Sequence, residues 1–112
     1  MNSNEFRIVI KIKDYIKIID NYIVNIPKKE LYLKNRIYNY SFDLLEEVYQ
    51  MNNTKEFLDN KLKSKISMLD YLFEYLYIKK YISEKQLEKI IFKLIEINKM
   101  ISSWVSKYDS WF

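Results

Sequence analysis

The fold is indicated most clearly by residues 82–105, which read ISEKQLEKIIFKLIEINKMISSWV. Ser83 and Gln86 stand three residues apart, so that each side chain can accept a hydrogen bond from the other residue's backbone N–H, as in a capping box. Ile82 and Leu87 occupy the positions of a hydrophobic staple around this pair. The segment therefore predicts a helix over 84–106. Apolar residues at steps of three and four predict its inner face: Leu87, Ile90, Ile91, Leu94, Ile97, Ile101 and Trp104 or Val105.

The same spacing predicts three further helices before this one. The first covers 5–25, although the alternating apolar residues of 7–13 (RIVIKIK) also fit a strand. Pro27 suits the first turn of a second helix over 28–51, because proline lacks an N–H that would have no partner there. Asn52 and Asn53 are expected to end that helix, and Asn53 or Thr54 to cap a third over 55–80. Short connections then predict an all-α, antiparallel up-down-up-down four-helix bundle formed by the single domain 1–112.

The composition excludes several functional classes. The 112 residues contain no Gly, Cys or His. Zinc–thiolate sites, histidine bases, P-loops and dinucleotide fingerprints are therefore ruled out. Acidic pairs such as Asp70 and Glu74 are interpreted as ordinary surface groups. We expect no catalysis, cofactor, metal ion or small-molecule substrate, and neither a signal peptide nor a membrane span, which suggests a cytoplasmic protein.

The lysines are the first candidates for a binding role. The formal net charge is +4, from 19 basic and 15 acidic residues. Lysines four apart on one helix form a basic stripe that can follow a phosphate backbone. The alternative is that these stripes are ordinary solvated faces. The candidate stripes are Lys85, Lys89 and Lys93 on the fourth helix and Lys61 and Lys65 on the third, with Lys13 and Lys17 on the first.

The second half of the third helix is a candidate surface for self-association. Residues 69–78 read LDYLFEYLYI and are apolar or aromatic on nearly every side, more than a monomeric bundle can cover. Alternatively, the tyrosine rings pack while their hydroxyls reach water. Tyr71, Phe73, Tyr75 and, on the fourth helix, Trp104 are the predicted interface residues.

Three segments of the chain carry motifs that are typical of one known family. Residues 26–33 (IPKKELYL) with Arg36 are similar to its Pro-Lys-x-Glu-x-Tyr stretch and following arginine. Residues 81–86 (YISEKQ) and 97–107 (INKMISSWVSK) are similar to its Tyr-Ile-Ser-x-Lys stretch and its Gly-Arg-Met-Leu-Gly-Gly-Trp stretch. By these motifs the chain resembles the Avd-like four-helix bundle proteins. The resemblance spans about 22–107, but all three glycines of the last stretch are replaced here, and the chain has only two arginines.

The resemblance implies a function as well as a fold. The family includes the accessory variability protein of diversity-generating retroelements, a homopentameric barrel that binds a reverse transcriptase and template RNA. The resemblance therefore implies a reverse transcriptase and template RNA as partners of this chain, with Arg36, Lys99 and Lys107 as matching basic positions. Two alternatives stay open: a four-helix protein of the kind encoded in 23S ribosomal RNA intervening sequences, and an interaction module without a nucleic-acid role.

Overall fold

The chain folds into four α-helices and one 3-10 turn in the computed structural model, which describes residues 3–57 and 59–109. The helices are α1 (Ser3–Ile23), α2 (Leu31–Thr54), α3 (Asn60–Ile78) and α4 (Glu84–Asp109), and the 3-10 turn is Lys28–Glu30. No strand occurs in these ranges, so the all-helical prediction is confirmed and residues 7–13 belong to α1. None of the described helices has the length and apolar character needed to cross a bilayer.

The helices form a four-helix bundle in which each packs against two neighbours. The packed pairs are α1–α2, α2–α3, α3–α4 and α1–α4, whereas the backbones of the diagonal pairs stay apart within the described part of the chain. Ion pairs from Lys11 to Glu96 and from Lys93 to Asp14 show that α1 and α4 run antiparallel. The molecule measures 48 × 23 × 20 Å.

The core is built from the apolar stripes that the sequence predicts. Near the middle of the bundle the core contains one polar pair, in which the Tyr15 and Ser41 hydroxyls are 2.8 Å apart. The Tyr15 ring also meets the Phe73 ring edge to face. Fully buried apolar residues from all four helices include Ile12, Ile19, Ile37, Leu44, Val48, Leu62, Leu69, Leu76, Ile90, Leu94 and Ile101.

The ends of α2 differ from the prediction. Pro27 precedes the 3-10 turn, and α2 begins only at Leu31. The two asparagines do not end the helix either, because it continues to Thr54, whose hydroxyl donates to the Gln50 carbonyl. Lys55 ends it in the left-handed conformation, at φ 60°, and α3 begins at Asn60 rather than at 55.

The turn between α3 and α4 contains two recognisable caps. Lys80 adopts φ 67°, and the N–H groups of Lys80 and Tyr81 donate to the carbonyls of Tyr77 and Leu76, which is the Schellman pattern. The predicted capping box of α4 is confirmed, with N–H to side-chain distances of 2.9 Å from Ser83 to Gln86 and 3.1 Å from Gln86 to Ser83.

Candidate nucleic-acid interface

The predicted lysine stripe of α4 is divided between two environments. Lys85 and Lys89 are exposed and make no ion pair within the described residues. Lys93 is different, since its ammonium lies 3.2 Å from the Asp14 carboxylate of α1. The stripe rotates around the helix axis because four residues cover slightly more than one turn. Its last member therefore joins the α1–α4 contact and is not a free cation for phosphate.

The lysine pair of α3 is divided in the same way. Lys61 is exposed, whereas Lys65 lies between Glu47 and Asp43 of α2, at 3.1 and 3.5 Å. Burial lowers the pKa of Lys65, but the hydrogen bond and charge of Glu47, followed by the charge of Asp43, outweigh this effect and raise it. Lys65 is thus charged but already neutralised by α2, so it links two helices instead of offering a phosphate site.

The exposed lysines of α4 and of α1 stand on two helices that pack against each other. Lys13 and Lys17 are exposed, and the ion pair of Asp14 with Lys93 places Lys17 almost level with Lys89. We call the following set the basic face: Lys13, Lys17, Lys85, Lys89 and Lys99, all exposed. The carboxylates of Glu84 and Glu88 border this face on α4 and are exposed too.

Lys107 belongs to a different part of the α1–α4 contact. It lines a small cavity of about 170 Å³ together with Arg7, Ile8, Met100, Ser103 and Trp104. The cavity is too small for a nucleotide, since ligand pockets usually measure about 300–1,000 Å³. Lys107 is therefore separate from the basic face.

Arg36 is fixed by two tyrosines of its own helix. Its guanidinium donates hydrogen bonds to the hydroxyls of Tyr32 and Tyr40, four residues to either side. The same group lies 5.9 and 5.0 Å from the centroids of the two rings. The hydrogen bond to Tyr32, followed by the electrostatic effect of the two phenols, raises the pKa of Arg36. Like any arginine, it carries a permanent positive charge.

The predicted self-association residues do not share one surface. Tyr71 is 59% exposed and Tyr75 is half-buried beside it, with ring centroids 6.5 Å apart. Phe73 and Trp104 are only 0% and 3% exposed. They point into the bundle, where Trp104 packs edge to face on Phe57 at 4.6 Å, so the prediction that these two side chains face another copy is corrected.

The sequence analysis missed two residues of interest. Neither Tyr40 nor Lys79 is among the candidates from the sequence, yet Lys79 lies 5.4 Å from the centroid of the Tyr75 ring. The Tyr-x3-Arg-x3-Tyr spacing of residues 32–40 was the available signal, because residues four apart lie on one helix face.

Among residues 3–57 and 59–109, no three acidic side chains converge in a group that could hold a metal ion. Of the protein-family models, curated proteins and solved structures with which the chain was compared, none matches it.

Proposed function

We propose that the chain is a non-catalytic, RNA-binding accessory subunit that acts in the cytoplasm. In this proposal it assembles into a homopentamer and serves a diversity-generating retroelement by binding a reverse transcriptase and the template RNA. The resemblance to Avd-like proteins supports the identity of the partners. The observation that carries RNA binding is the basic face, whose lysines have no carboxylate partner in the described part of the chain.

The arrangement of these lysines suits a phosphate backbone. Lys85 and Lys89 are separated by about 6 Å along the α4 axis, and Lys17 stands almost level with Lys89 on the neighbouring helix. Flexible lysine side chains act as point charges, so they neutralise phosphates without requiring one sequence or one fixed geometry. Binding through this face is therefore expected to depend strongly on salt and weakly on sequence.

The salt dependence of RNA binding tests this proposal. Anisotropy titrations with labelled single-stranded RNA should give log Kd values that change linearly with log salt, by about 0.7 for each phosphate neutralised. The double substitution Lys85→Gln and Lys89→Gln should reduce that slope by about 1.4. The matched variant with arginine at both positions keeps the charges and should keep the slope. An unchanged slope in the glutamine variant would remove this face from the proposal.

The partners are tested by affinity purification of the tagged chain from its native host. Recovery of a reverse transcriptase together with one structured RNA is the expected result, and the mass of the purified chain by light scattering tests the pentamer. Ribosomal RNA fragments without a reverse transcriptase would instead favour the 23S intervening-sequence type.

The interaction module remains a second candidate because of two exposed residues on α3. Tyr71 is 59% and Ile78 73% exposed, which leaves apolar surface on one side of the bundle. Under this alternative, Tyr71→Glu together with Tyr75→Glu breaks an assembly that does not bind RNA. An assembly that survives both substitutions would contradict it.

A further inference from the structure

One side of the α2–α3 pair carries cations that are held against aromatic rings. We call it the aromatic–basic surface, and it consists of Tyr32, Arg36 and Tyr40 from α2 and Tyr71, Tyr75 and Lys79 from α3. On α2, Arg36 lies over two rings, and on α3 the Lys79 ammonium lies over the Tyr75 ring. Each helix thus presents a positive charge whose position is already restricted before any ligand arrives.

The register of α2 and α3 brings Tyr32 and Arg36 of α2 level with Tyr75 and Lys79 of α3. Lys65 contacts both Asp43 and Glu47, so positions near 45 on α2 face position 65 on α3. Because the helices are antiparallel, Arg36 then stands level with residues 74 and 75, and Tyr32 with residues 78 and 79. The charge of Glu30, just before α2, acts on Lys79 in agreement with this register.

Two of the rings on this surface are open to solvent. Tyr32 is 73% exposed and Tyr71 is 59% exposed, while Tyr40 and Tyr75 are half-buried. A single exposed tyrosine is common on protein surfaces. Here, however, two exposed rings flank two fixed cations, which is the combination found where proteins bind single-stranded nucleic acid.

The charges around the rings favour an anionic partner. Exposed Lys28 and Lys29 of the 3-10 turn and exposed Lys80 border the surface beside Arg36 and Lys79, whereas Glu30 and Glu74 are the acids at this end. A shallow depression beside Arg36 also includes Asp43, but that carboxylate is already paired with Lys65. This end of the aromatic–basic surface therefore carries five basic side chains and two acidic ones that have no ion pair in the described part of the chain.

We propose that the aromatic–basic surface binds an unpaired stretch of RNA, with bases stacked on Tyr32 and Tyr71 and phosphates held by Arg36 and Lys79. Only unstacked bases can reach the exposed ring faces, since the bases of a duplex are covered by one another. Arg36 uses two of its five donors on tyrosine hydroxyls, so three remain for a phosphate. This assignment rests on the proposed RNA-binding function and adds a second, single-strand-selective site to the basic face.

The test compares single-stranded with double-stranded RNA of equal length in anisotropy titrations at one salt concentration. The double variant Tyr32→Ala and Tyr71→Ala should bind single-stranded RNA at least about tenfold more weakly. Its duplex affinity and its salt slope should stay unchanged. The matched control Tyr32→Phe and Tyr71→Phe keeps both rings and should keep the single-strand affinity. Circular dichroism checks that the helices are intact.

Four outcomes would overturn the assignment. Unchanged single-strand affinity, or an equal loss for both RNA forms, would overturn it while leaving binding through Lys85 and Lys89 in place. A smaller assembly mass with unchanged RNA affinity would assign the same rings to contact with another copy of the chain. If the wild-type chain binds neither RNA form, the proposed function fails together with this inference.

Discussion

At the scale of single residues, two lysines take on a role that usually belongs to glycine. Lys55 and Lys80 have φ values of 60° and 67°. Lys55 directly follows the last residue of α2, and Lys80 lies two residues after the last residue of α3. A left-handed conformation costs roughly 1–2 kcal/mol for a residue with a Cβ atom, but almost nothing for glycine. The chain contains no glycine, so both turns retain this cost.

Replacement of Lys80 by glycine should therefore stabilise the bundle. We expect Lys80→Gly to raise the free energy of unfolding by about 1 kcal/mol, measured by urea denaturation. The neighbouring Lys79→Gly is the control. Because Lys79 already has a helical φ of −75°, glycine there should lower stability by about 0.5–1 kcal/mol. Destabilisation by both substitutions would contradict the proposed strain at Lys80.

Asp70 is a second residue whose environment is unfavourable. It is half-buried, and its Oδ1 atom has no hydrogen-bond partner in the described part of the chain. Burial, followed by the nearby charge of Glu74, raises the pKa of Asp70 above its ordinary value. The folded state therefore binds this proton more tightly than the unfolded state does. Stability then falls as pH rises from the ordinary aspartate pKa through the raised one.

Removal of that charge should reverse the effect at neutral pH. Asp70→Asn is expected to increase the free energy of unfolding at pH 7 by up to about 1 kcal/mol. At pH 3 the wild-type carboxyl is protonated in both states, so the two proteins should be nearly equal in stability. Urea titrations at the two pH values measure the difference. A larger gain at pH 3 than at pH 7 would show that the charge is not the cause.

At the scale of elements, the apolar period predicted all four helices and most of their inner faces. The prediction succeeded because a helix that is buried on one side carries apolar residues at steps of three and four in its own sequence. Helix ends were harder, since α2 passes the expected asparagines and ends at Lys55, a residue type with no preference for the left-handed conformation that it adopts. The basic face was only partly predictable, because Lys65 and Lys93 meet carboxylates on other helices, which a pattern within one helix cannot reveal.

The correction for Trp104 leads to a prediction at this scale. Trp104→Ala should cost about 3–5 kcal/mol of unfolding free energy, because it removes a large buried ring from the core of α4. Tyr71→Ala, on exposed α3 surface, should change the same quantity by less than about 0.5 kcal/mol. Thermal and urea unfolding of both variants at low protein concentration provide the comparison. Comparable losses would mean that Tyr71 is covered in solution.

At the scale of the whole molecule, ion pairs between helices decide which cations remain for a ligand. The α1–α4 contact uses Lys11 and Lys93, and the α2–α3 contact uses Lys65. Ion pairs that stay in contact with solvent contribute at most about 1 kcal/mol each and weaken as salt increases. Their main consequence is that they neutralise lysines between the helices. The positive charge that remains for a ligand then lies on the outer face of α1 and α4 and beside the tyrosines of α2 and α3.

The closed ring of helix contacts also has a consequence for the order of folding. Three of the packed pairs join helices that follow each other along the chain, so each can form as a local hairpin. Among the described helices, α1 and α4 alone must meet across the length of two others, and closing that long loop costs the most chain entropy. We expect this contact to form last and to open first. Native-state hydrogen exchange should then show amides of α1 and α4 exchanging through partial opening, at lower free energy than those of α2 and α3. Equal protection in all four helices would mean that the bundle opens as one cooperative unit.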